Sequence, residues 1–90
     1  MMRAIVTVIG KDRVGIIADV CAVLAKNKVN VLDISQTVMQ DFFTMMMLVD
    51  TTACPKSFDE VADTLSAKGE QMGLSIRIQR QDIFQAMHRI

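Results

Sequence analysis

The sequence predicts an α+β domain of the βαββαβ type: a four-stranded antiparallel sheet with two helices on one face, followed by a short C-terminal tail helix. Three observations predict it. Hydrophobic periodicity switches between about 2 and about 3.6 residues in that order along the chain. Glycine, aspartate and the single proline fall near several of the switches. A chain of 90 residues that is 51% hydrophobic and 22% charged suits one globular domain over residues 1–90, with a core at about 3–80 and a tail at about 82–90.

The first strand is expected over Arg3 to Ile9, a β-branched run that stops at Gly10 and a charged turn. From Val14 the apolar residues Ile17, Val20, Cys21 and Leu24 recur at helical spacing, so a helix is expected to run to about Asn27. Val29 to Val38 returns to alternation, with Leu32, Ile34 and Val38 expected on one face and Val31, Asp33, Ser35 and Thr37 on the other. A polar break at Met39-Gln40-Asp41 leads into Phe42 to Asp50, which makes these two strands a hairpin. The third strand is apolar on both faces: Phe43, Met45, Met47 and Val49 alternate with Phe42, Met46 and Leu48.

Ser57-Phe58-Asp59-Glu60 has the Ser-x-x-Glu form of a capping box and starts a second helix, whose stripe is Phe58, Val61, Ala62 and Leu65, extended to Met72. Gly69 and Gly73 are both available to end it. Leu74 to Arg80 alternates as a fourth strand, and Ile83, Phe84, Met87 and Ile90 in the tail fall at helical spacing. Right-handed crossovers put both helices of this split βαβ, ferredoxin-like unit on one face. The other face, with its bulky apolar groups, then calls for a dimer partner or the tail helix.

Composition removes several functions. Ten basic residues balance ten acidic ones, so the net positive field used by nucleic-acid binders is missing. No apolar run approaches the ~20 residues that span a bilayer, and no signal peptide is legible, so a cytoplasmic protein without membrane contact is expected. Cys21 and Cys54 lie far apart and form neither a dithiol motif nor a metal-ligand pair. Met45-Met46-Met47 splits between two strand faces and reads as packing, not a copper site. His88 has no Ser or Cys beside it at a recognisable spacing. No cofactor, metal or catalytic constellation is called for.

The informative stretch is Gly10-Lys11-Asp12-Arg13-Val14-Gly15-Ile16, where two glycines permit a tight turn and the following helix N-terminus offers unpaired N–H groups to an anion. The same turn also reads as architecture alone: Gly10 ending a strand, Asp12 capping the helix, Gly15 permitting close packing. Asn30 supplies a donor and an acceptor suited to an amino or carboxyl group, or else simply ends the helix-to-strand loop.

The run VTVIGKDRVGIIADVCAVLAKNKVNVLDISQ resembles the first half of ACT domains, through Asp12, Gly15, Ile16, Leu24 and Asn30-Val31. The nearest likeness is to short stand-alone bacterial and archaeal ACT proteins, carried by GKDRVGI, LDISQT and the closing IFQAMHRI. The resemblance implies binding of an amino acid or other small metabolite at a domain interface. It implies ligand contact by Asp12, Gly15 and Asn30, with Val14 and Ile16 as backbone or wall. The candidate ligand-binding set is Gly10, Asp12, Arg13, Val14, Gly15, Ile16 and Asn30. Many amino-acid-binding relatives have Pro where this chain has Val14.

Two functions of different class follow. One is a regulatory or sensing homodimer that binds a small metabolite between protomers and is read by a regulated partner protein. The alternative is a structural protein–protein interaction module without ligand. An enzyme of the acylphosphatase sort has only Arg13 in its favour, and fold alone assigns no chemistry.

Overall fold

A computed structural model describes residues 2–11 and 14–81. The predicted tail helix and His88 lie outside the described residues, as do Asp12 and Arg13. The element order is β1 (Arg3–Lys11), α1 (Ile16–Lys26), β2 (Asn30–Met39), β3 (Phe42–Asp50), α2 (Phe58–Met72) and β4 (Ser75–Arg80). The four strands form one antiparallel sheet in the order β2-β3-β1-β4. This is the predicted βαββαβ architecture.

Strand pairing explains which residues share a face. Val6 stands between Met47 and Ile78, and Val8 between Met45 and Ile76. All of these are buried with Ile16, Val20 and Leu24 of α1 and Val61 and Leu65 of α2, so both helices cover one face of the sheet. On the opposite face Phe42 remains 57% exposed, whereas Met46 and Leu48 are half-buried. The two-faced apolar character of β3 is therefore real, with only one of its faces forming the core.

Two register expectations are corrected. In α1 the buried row is Ile16, Val20 and Leu24, while Ile17 is substantially exposed, because the helix starts at Ile16 and turns that residue inward instead. In β2 an irregularity between Val31 and Asp33 inserts one residue. Such a bulge moves everything before it to the other face. Val31 pairs with Val49 and Ile34 with Met47, so Val31 shares the helix-covered face with Ile34 and Val38 instead of opposing them.

The helix ends are closed locally. Glu60 N–H donates to Ser57 Oγ at 3.2 Å and Ser57 N–H to Glu60 Oε1 at 3.3 Å, the predicted capping box of α2. Gly73, with φ 70°, ends that helix. Gly69 stays inside it, because a Cβ there would stand 2.7 Å from Leu74 O. At the end of α1, Val29 N–H donates to Leu24 O at 2.9 Å and Lys28 N–H to Ala25 O at 3.0 Å, a Schellman pair of bonds. Lys28 occupies the left-handed position of that motif with φ 60°.

Candidate functional site

The N-terminus of α1 starts on a glycine. Gly15 is the N-cap residue, with φ 91° and ψ 2°, and has no side chain to cap the first turn. The first intrahelical bond is Asp19 N–H to Gly15 O at 2.9 Å. The amides of Ile16, Ile17 and Ala18 precede it and have no acceptor within the helix, so they carry the positive end of the helix dipole. A left-handed backbone without a Cβ leaves this end open: nothing lies within 4 Å of where a Gly15 Cβ would stand.

That helix end opens onto a cavity of about 280 Å³ lined by Gly15, Ile16, Ile17, Ala18, Gln36, Val38 and Phe43. Two neighbouring strands supply its wall, because Val38 of β2 pairs with Phe43 of β3. Gln36 is the one amide side chain on this lining, two positions from Val38 on the same strand. Donors at a helix end, a side-chain amide and an apolar floor of Val38 and Phe43 suit a small molecule that has an anionic head and an apolar body.

The predicted residues divide. Gly15 and Ile16 line the cavity. Val14, 95% exposed, stands at its approach in the turn before Gly15. Gly10 does not line it; it pairs with Phe43, and a Cβ there would run into the Leu74 side chain, so this glycine permits close packing. Asp12 and Arg13 lie outside the described residues. Asn30 is not brought to the cavity within one chain. It pairs with Asp50, as Arg3 does, whereas Gly10 and Val38 pair with Phe43. Seven strand positions, about 23 Å at ~3.3 Å per residue, separate the two levels.

Reading from the residues missed Ile17, Ala18, Gln36, Val38 and Phe43 as lining. Gln36 carried a usable signal: it is a polar residue at a helix-facing strand position between Ile34 and Val38.

Comparison with known proteins agrees with this architecture. The ACT domain family model matches residues 3–79. A UPF0237 protein of Neisseria meningitidis is 54% identical over 90 residues, all of both chains. A UPF0237 protein of Clostridium acetobutylicum is 55% identical over 89 residues, 99% of this chain and all of that one. Among solved structures, an ACT domain protein from Streptococcus pneumoniae superposes with a TM-score of 0.82 at 40% identity, covering 97% of this chain and 98% of that chain. The βαββαβ order with its four-stranded antiparallel sheet and two helices defines a ferredoxin-like module. The chain belongs to the ACT domain family, whose members are commonly small-molecule regulatory modules.

Proposed function

We propose that this chain is a cytoplasmic regulatory or sensing module, without catalysis of its own, that binds a small metabolite with a carboxylate head as a homodimer. An amino acid fits that description best. The observation that carries the reading is the glycine-started N-terminus of α1 opening onto the cavity with Gln36 on its wall. The helix amides hold the carboxylate, Gln36 accepts from or donates to the α-substituent, and Val38 and Phe43 contact the apolar part.

A homodimer brings the partner's Asn30 to the cavity's end of the sheet. Among the described residues no strand lies beside the outer edge of β2, and Leu32, Ile34, Val38 and Met39 on this strand are exposed. Two copies pairing their β2 strands antiparallel about a two-fold axis at Ser35, with Leu32 bulged out of both strands, put the partner's Asn30 opposite Met39, one position from Val38. A ligand held by Gly15 of one chain and the partner subunit's Asn30 then binds only the dimer. It shifts the population toward one dimer arrangement, which a regulated partner protein reads.

The test is a thermal-shift and calorimetric screen of the purified protein against the proteinogenic amino acids and related carboxylates. A bound compound at about 100 times its Kd should add about 2.7 kcal/mol of stability. Gln36→Leu and Asn30→Ala should each remove that gain while leaving a folded protein, because Asn30 is exposed and Gln36 faces the cavity. Gly15 is a poorer target, since a φ of 91° strains any other residue and confuses lost binding with lost folding. A dimer indifferent to every compound, with its exposed β2 side chains still paired, would favour the interaction module without ligand.

A further inference from the structure

The geometry points to a second ligand site on the helical face, a lysine-lined groove between the end of α1 and the second half of α2 that takes a soluble phosphorylated small molecule. The groove has a volume of about 470 Å³, large enough for an organic phosphate and not merely an ion. Lys26 of α1, Lys56 of the loop before α2 and Lys68 of α2 all line it, and no carboxylate among the described residues does. In a chain whose ten basic and ten acidic residues balance, three cations from three segments converge here. Their mutual repulsion is relieved by a multivalent anion.

A helix C-terminus ordinarily opposes an anion, because its unpaired carbonyls carry the negative end of the dipole. Here three of the last four carbonyls are occupied. Val23 O accepts from Asn27 N–H at 3.2 Å and from Asn27 Nδ2 at 2.8 Å, while Leu24 O and Ala25 O accept from Val29 and Lys28. Lys26 is therefore not needed to cap the helix, and its ammonium is left for the groove.

Asn27 also lines the groove, only 8% exposed, with its Nδ2 donating to Val23 O at 2.8 Å. Gln71 adds a second amide to the lining. Lysines attract phosphate as point charges, and fixed amides orient it. This site lies apart from the α1 N-terminal cavity, with which it shares no lining residue.

The test uses the full-length protein and inorganic pyrophosphate, titrated calorimetrically at physiological salt. Saturable binding is expected, and Lys26→Gln/Lys68→Gln should weaken it about tenfold or more, through the loss of two charge-assisted contacts. Arg77→Gln makes a single charge change on an exposed β4 residue outside the groove and should leave the affinity within about twofold. Circular dichroism of both variants establishes that they fold. Absence of saturable binding, or equal weakening by Arg77→Gln, would overturn the site. Preference for phosphoinositide-containing phosphatidylcholine vesicles over pyrophosphate would overturn its assignment to a soluble ligand. Because amino-acid binding is read at Gln36, either site can fail without the other.

Discussion

Lys28 holds φ at 60° so that its own N–H and that of Val29 can close the end of α1. A side chain in the left-handed region costs roughly 1–2 kcal/mol, and glycine avoids that cost while giving back part of it through its freer unfolded state. Lys28→Gly should therefore stabilise the protein by about 1 kcal/mol, read as a rise in denaturation midpoint with an unchanged m-value. A fall in stability would mean that the lysine side chain is held by something the backbone does not show. Asp50 illustrates a different local effect. It accepts from Thr52 Oγ1 at 2.6 Å and from Thr52 N–H at 2.9 Å, and these bonds hold its carboxyl below the ordinary carboxylate range. Since the folded pKa is depressed, the stabilisation is complete above the unfolded value of about 3.9 and is lost as pH falls through the folded value. An NMR titration of Asp50 should give a midpoint below that of a free aspartate. Thr52→Ala, which removes the larger contribution, should move it upward; an unshifted wild-type midpoint would refute the effect.

Elements whose ends carry their own chemistry were legible in the sequence, and those set by register were less so. The start of α2 followed from Ser57 and Glu60, and both bonds of the box form. Phe42 to Asp50 was readable to the residue because its apolar alternation is bounded by polar positions on one side and the Thr51 loop on the other. The hairpin loop resisted, since Gln40 takes φ 56° at a position where glycine would have announced the turn. In β2 the inserted residue near Leu32 broke the simple alternation, and Val31 changed face as a result. Gln36 was legible as the polar residue between Ile34 and Val38, but its place at the helix end depended on tertiary packing. Gly15 and Ile16, two of the seven lining residues, could be read from the glycine turn. The strand half depended on pairing between residues far apart in sequence, which periodicity alone does not fix.

At the scale of the whole molecule the governing quantity is how much surface 90 residues can bury. A chain of this size removes only roughly 60–65% of its unfolded surface, so an edge strand with exposed Leu32, Ile34, Val38 and Met39 leaves a marginal domain with stabilisation still to gain from association. If β2 pairs with β2, unfolding is coupled to dissociation and apparent stability depends on protein concentration. A tenfold increase in concentration changes the free energy of a dimer by about 1.4 kcal/mol, which for two 90-residue chains should raise Tm by about 3–5 °C. Ser35→Lys places a charge directly opposite its own copy on the two-fold axis, where two like charges repel. That variant should be a monomer by light scattering, with a lower Tm that no longer changes with concentration. Wild-type protein whose Tm is constant over a hundredfold range, and whose mass is that of one chain, would remove the two-chain site and leave Asn30 stranded at the far end of the sheet from Gly15.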